Sequence, residues 1–363
     1  MFDKTAETAA WYTEDGLETD VVLSSRVRIA RNIDGFRFPL TIKADDAERV
    51  QSLVFDAFNH QEHPEQYQII QMSNLDVLGR LILSERGVLE PDSGNEHWRG
   101  IIVRNDGVLS VTVNMEDHVR IAAFSSGLSL FSCGKSTASV EDLLQKKLSF
   151  STMPGFGYLS SGLFSTGTGI KASAIVCLSG LAMNGLLERV IRDFLAKGFI
   201  LQGYYGQRNG ISLGCLYQIA NLSASSGDSD SQLSVLNQAV TKLVELERKS
   251  RSELLRSRPT IVEDSVFRAI VTAKYARLLP LSEAIDLIHR IKLGLNLDLI
   301  KGIANHDLTA LLYRIQNAHL RFVISNNTII IEEELISEET RMDRLRAMII
   351  QEVLKDADIK ERR

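Results

Sequence analysis

The stretch DVVLSSRVRIARN, residues 20–32, constrains this chain more than any other. Side chains of a β-strand alternate between its two faces. Here Val21, Leu23, Ser25, Val27 and Ile29 fall on one parity, and Val22, Ser24, Arg26 and Arg28 on the other. The spacing predicts a strand that packs Val27 and Ile29 inward and projects Arg26 and Arg28 together. Neighbouring guanidiniums repel unless an anion lies between them, and a polyphosphate suits planar forks that grip oxygens in pairs. Two solvated arginines on an exposed sheet face satisfy the same pattern. These residues alone leave both readings open.

At 363 residues with a net charge of −5, the chain is long enough for two domains. Its balanced charge and ordinary apolar content point to a soluble globular protein, and away from a nucleic-acid coat or a disordered chain. The opening MFDKTAETAAWYTEDG lacks the basic-then-apolar plan of a signal peptide. The longest apolar region, residues 174–187, is too short and too rich in Ser and Gly to span a bilayer. Cys133, Cys177 and Cys215 follow no pairing or metal spacing, which predicts free thiols in a reducing cytoplasm. His60 and His63 lie close but have no accompanying cysteine or second histidine pair, so no structural zinc is expected.

Along the chain, Val50, Val54 and Phe58 at helical spacing predict a helix over 43–60. Short apolar runs broken by Gly, Pro and Asp predict strands and turns over 74–104. Residues 110–121, SVTVNMEDHVRI, put Val111, Val113, Met115, Val119 and Ile121 on one parity and Ser110, Thr112, Asn114, Glu116, His118 and Arg120 on the other. A regular strand here places Glu116, His118 and Arg120 on one face. A cross-strand charge ladder on a wet face is the plainer account.

Residues 155–173 form a Gly/Ser/Thr-rich loop of the kind that brings backbone N–H groups to an anion. It is not a P-loop, because Thr168 stands after Gly167 where the lysine belongs, and it lacks the third glycine of a dinucleotide fingerprint. Lys171 is the cation behind it. Residues 201–214 read as a hairpin or flap. Asp228 or Ser229 is expected to cap a helix striped by Leu233, Leu236, Val240, Leu243 and Leu254. Pro259 breaks that helix, which sets a boundary between domains 1–258 and 259–363. Beyond it Val262, Val266, Phe267 and Ile270 share one face and Ile285, Ile288 and Ile291 another; residues 307–323 and 335–355 repeat the habit.

SSRVRIARN, NMEDHVRI, GYLSS with GTGIKAS, and YYGQRNGISLGCLYQIAN occur in the order seen in ATP:guanidino phosphotransferases, the phosphagen-kinase superfamily. The chain resembles the bacterial protein-arginine kinases of that superfamily most. The resemblance implies an α+β fold, with an antiparallel-sheet catalytic domain flanked by helices and a small α-helical carboxyl-terminal domain. It implies transfer of the γ-phosphoryl group of Mg-ATP to arginines of protein substrates, with ATP and Mg2+ as cofactors and no metal ligand from protein side chains. A cytoplasmic homodimer working with a Clp-type protease or chaperone partner is implied as well, with no nucleic acid or membrane involved. By matching position, ATP binding falls to Ser24, Ser25, Arg26, Val27, Arg28, Arg120, Lys171, Ala172, Ser173, Gln202 and Gln207. Glu116, with Asp117 and His118 of the EDH motif, takes the catalytic place. Asp343 and Arg346 are what remains of a phosphoarginine-reading RDxxRA motif, whose first arginine is Met342 here.

Other departures fall at the site. Met115 replaces the first acidic residue of NEEDH, Gly162 a reactive cysteine, and Ser165 an asparagine shortly after it. Lys171 replaces the arginine of GTGxRAS, Gln202 a phosphate arginine, Gln207 the glutamate of the GxYGE turn, and Gly210 a second substrate carboxylate. Losing one preorganised contact commonly costs about a hundred- to a thousandfold in rate. Two expectations follow: a working phosphotransferase with a reduced guanidinium half, or a pseudokinase that kept the fold and the nucleotide site as an adaptor. Retention of Arg26, Arg28, Glu116 and Arg120 favours the enzyme.

Overall fold

The computed structural model describes residues 11–90, 93–208, 211–225, 227–327 and 329–360, with backbone alone at 207 and 208. Eight strands make the main sheet: β1 (Val22–Arg31), β2 (Tyr67–Gln71), β3 (Gly100–Arg104), β4 (Leu109–Val113), β5 (Val119–Ser126), β6 (Ile170–Cys177), β7 (Phe199–Gly203) and β8 (Leu216–Asn221). Their order is β2-β3-β4-β5-β1-β6-β8-β7, antiparallel at every step. The arginine strand β1 lies inside this sheet, between β5 and β6.

Helices cover the apolar face. Val50, Val54 and Phe58 of α1 (Ala44–Asn59) pack on Val111, Val113, Val119 and Ile121, and α3 (Leu130–Gln145) adds Val140 and Leu144. Val27 and Ile29 pack with Leu236, Val240 and Leu243 of α6 (Ser229–Ser257), the long striped helix. Asp228 caps α6 by accepting from the Ser231 N–H at 2.7 Å. Between them in the chain lie α2 (Val77–Glu85), α4 (Ser179–Met183) and α5 (Leu187–Leu195).

Pro259 opens α7 (Pro259–Tyr275), where its missing N–H and fixed φ cost nothing. Then come α8 (Leu281–Asn296), α9 (Asn305–Arg314), α10 (Asn317–Asn326) and α11 (Glu338–Val353). Their core is continuous with the sheet: Leu23, Cys177 and Leu216 pack among Val262, Val266, Ile285, Ile288, Leu311 and Leu345. Gly214 makes this approach feasible. It has φ +65°, and a Cβ there would lie 2.8 Å from Ile285 Cγ2. All three cysteines are buried and free, and among the described residues no helix is long and apolar enough to cross a membrane.

Four local expectations need correction. First, β1 is not regular: its register on β6 shifts between Val22 and Ser24. An extra residue swaps parity, so Val22 joins Val27 and Ile29 while Leu23 turns to the helical core. Second, residues 110–121 are two strands, β4 and β5, joined by a tight turn. Asn114 enters it at φ 55°, a conformation Asn tolerates, and its side chain donates to the Ala47 and Trp98 carbonyls. Third, residues 77–85 are helical, started by Asp76 accepting from the Gly79 N–H at 2.6 Å. Fourth, the predicted helix 307–323 is two, because Gln316 is extended between α9 and α10.

Candidate active site

Arg26 and Arg28 project from β1 to the same side. Arg28 lies opposite Lys171 of β6, and Arg120 of β5 lies opposite Ala30. Arg26, Arg28, Lys171, Gln202, Gln218 and Glu90 line a cavity of about 240 Å³. Glu90 Oε1 sits 3.1 Å from Arg28 Nη1 and 3.6 Å from Arg120 Nη1, while Glu116 takes the other amino group, Nη2, of Arg120. Arg26 Nη1 donates to the Gly87 carbonyl at 3.1 Å.

Four cations thus face two carboxylates. Burial, reinforced by Arg26 and Arg120, pulls Arg28 down to about 9. Burial also lowers Arg26 and Lys171, with neighbouring arginines adding to the effect. Partial burial would raise the Glu90 carboxyl, but Arg28, Arg120 and Arg26 outweigh it and hold it below the usual range. The pocket is short of negative charge, and a polyanion would relieve it.

The other residues matched to the ATP site support the sheet. Ser24 is buried and hydrogen-bonds Tyr313 of α9. Ser25 Oγ donates to the Gly127 carbonyl at 2.7 Å and accepts from the Ser129 N–H at 2.9 Å. Val27 and Ala172 are core, and Ser173 is buried opposite Arg26. Ser25→Ala should therefore lower stability by about 1–3 kcal/mol, read from denaturant unfolding, because it leaves a buried N–H and C=O unpaired. A fall in nucleotide affinity without loss of stability would contradict this.

Asp117 and His118 do not share a face with Glu116. His118 is fully buried. Its Nδ1 accepts from the Ile33 N–H at 3.0 Å, so Nε2 carries the proton and donates to the Arg37 carbonyl at 2.9 Å. Burial lowers its pKa, which keeps this neutral form. Asp117 Oδ1 accepts from Asn32 Nδ2 and from the Ser161 N–H, both at 2.8 Å. Together they tie the turn after β4 to residues 159–162, which brings Gly162 to Glu116. A Cβ built on Gly162 would lie 3.4 Å from Glu116 Oε1 and 3.9 Å from Ser165 Oγ.

Met115 turns into an apolar cluster with Met72 and Leu89. Gln207 pairs through its backbone with Ser212 in the expected hairpin; its side chain and Gly210 lie outside the described residues. Arg346 is corrected: it presents no fork to a ligand. It is 1% exposed and donates to the Leu279 and Ile315 carbonyls, Asn317 and Asp343, so it and Asp343 tie α11 to the segment just before α8 and to the junction of α9 and α10. Sequence reasoning missed Glu90, on an aperiodic loop, and Gln218, whose signal is only its register opposite Gln202. Among the described residues no three His, Cys, Asp or Glu side chains form a group that could hold a metal ion.

The family described as ATP:guanido phosphotransferase, C-terminal catalytic domain, matches residues 49–250, more than half of the chain. The chain belongs to this family. The family described as Protein-arginine kinase McsB C-terminal domain matches residues 259–363. The phosphotransferase relatives include the protein-arginine kinase of Pelotomaculum thermopropionicum, 32% identical over 85% of this chain and 88% of that protein. That of Bacillus subtilis is 28% identical over 86% of each. Two phosphagen kinases share the fold. A duplicated taurocyamine kinase from Schistosoma mansoni superposes with a TM-score of 0.59 and 19% identity, over 70% of this chain and 39% of the longer duplicated one. A lombricine kinase superposes with a TM-score of 0.56 and 19% identity, over 67% of this chain and 70% of that one. The antiparallel sheet carrying the cationic pocket is therefore the phosphagen-kinase sheet.

Proposed function

We propose that this chain transfers the γ-phosphoryl group of Mg-ATP to the guanidino group of arginines in protein substrates. The observation that carries the reading is a set of four converging cations: Arg26, Arg28 and Lys171 line one cavity, and Arg120 stands beside it, held by Glu90 and Glu116. Phosphoryl transfer asks a protein mainly for positioning and for positive charge around the phosphate oxygens. Arg26, Arg28, Arg120 and Lys171 supply both, and Gln202 and Gln218 add neutral contacts. Magnesium would arrive with the nucleotide and neutralise part of its charge.

An acceptor guanidinium is protonated and delocalised, hence a poor nucleophile. Glu116 orients it and accepts the proton that one nitrogen loses as the N–P bond forms. The bond from the γ-phosphorus to its bridging oxygen breaks in the same step, and ADP leaves with that oxygen. Asp117 and His118 act at one remove, as positioning residues that hold the Glu116 turn against residues 159–162. Gly162 leaves room beside Glu116 but offers no thiol. That gap, the uncharged Gln202 and Gly210 in the place of a substrate carboxylate are what favour the second reading, an inactive nucleotide-binding adaptor of a Clp-type protease system. An idle site has no physical need to hold four converging cations, so we take the enzyme.

The test offers labelled Mg-ATP with an arginine-rich unfolded protein and with the same protein carrying lysine at every arginine, quenched at alkaline pH. Label on the first alone is the expected result. Equal label on both would overturn a guanidino acceptor.

A further inference from the structure

Beside the pocket, one guanidinium already lies between two carboxylates. Arg120 has Glu90 beside Nη1 at 3.6 Å and Glu116 on Nη2. Glu90 reaches this position from the segment that follows α2, which is fixed at two points. The Glu85 carboxylate accepts from the Ala318 and His319 N–H groups at the start of α10, at 2.8 and 3.2 Å, and the Gly87 carbonyl holds Arg26. The segment is anchored, but the Glu90 side chain is 65% exposed, so it can leave its partners for little loss. Its partners Arg28 and Arg120 are two of the cations proposed above to hold phosphate.

We propose, resting on that assignment, that Glu90 is the second carboxylate of the acceptor site. Without nucleotide it sits on Arg28 and Arg120 as an internal anion. A nucleotide phosphate, with several charges and oxygens aimed at the same forks, displaces it. Released from those cations and repelled by the phosphate, Glu90 and Glu116 then flank the next cation to enter. A planar fork with five N–H donors meets two carboxylates on opposite edges, whereas an ammonium engages them only as a point charge. The site thereby selects arginine over lysine, and acceptor binding follows nucleotide binding. No covalent step is assigned to Glu90.

The test uses the full chain and calorimetry, so it does not depend on turnover. A non-hydrolysable Mg-ATP analogue is titrated first, then a short arginine peptide into the analogue-loaded chain. Glu90→Gln should bind the analogue about tenfold more tightly, because an internal competitor is gone, and the arginine peptide about tenfold more weakly. A merely structural role would not move the two affinities in opposite directions. Tighter analogue binding with unchanged peptide affinity would overturn the acceptor role, and unchanged analogue affinity would overturn displacement from the phosphate seat. Peptide affinity lost in Glu116→Gln but kept in Glu90→Gln would sink Glu90 alone. A loaded wild-type chain that binds no arginine peptide would overturn both Glu90 and the acceptor reading on which it rests.

Discussion

Glu116→Gln should lower phosphoryl transfer by about a hundred- to ten-thousandfold while nucleotide affinity holds or improves. The substitution keeps shape and removes the base, and a positioned general base is commonly worth that range. Glu116 is also the partner of Arg120 Nη2, so losing its charge frees a cation for phosphate, and affinity has no reason to fall. Steady-state transfer and calorimetric binding on the same preparation check both halves. An undiminished rate would remove Glu116 as the base, and a parallel loss of nucleotide affinity would mean that it shapes the phosphate site instead.

Arg28→Ala should weaken Mg-ATP binding by about ten- to a hundredfold, the worth of one or two charge-assisted hydrogen bonds. Arg28 lines the pocket, with Lys171 opposite it and Glu90 on its Nη1. Its removal takes away both a fork and the cation best placed to hold the seat open for an anion. Arg28→Lys should fall between wild type and alanine, since the charge remains and the paired geometry does not. Calorimetry reads the loss directly. Unchanged affinity in Arg28→Ala would mean that nucleotide, if bound, sits elsewhere.

The part of this protein that was legible in its sequence is the part written in alternation and in helical stripes. Arg26 and Arg28 share a face because β1 is regular beyond Ser24, and α1 and α6 bury the stripes that predict them. What misled was context. The bulge at the start of β1 and the turn at Asn114 each change parity with little change of composition, so a period of two runs through both, broken only by Asp117 in the second. The 77–85 helix carries no breaker-free stripe, and its clearest signal is one capping aspartate, Asp76. At the site, residue type announced the phosphate cations. The same motif spelling put Glu116, Asp117 and His118 together in function, whereas the turn after β4 separates them: Glu116 at the rim, the other two buried in the scaffold. Glu90 was invisible because it reaches the arginines from across the fold, 62 positions from Arg28.

The most direct test of the phosphotransferase reading is label transfer from γ-labelled Mg-ATP to arginine in an unfolded protein, quenched under alkaline conditions and then split into acid and alkaline arms. The expected result is label that survives alkali and is lost in acid, as an N–P bond requires, in proportion to wild-type enzyme. No label at any concentration of correctly folded protein would contradict it.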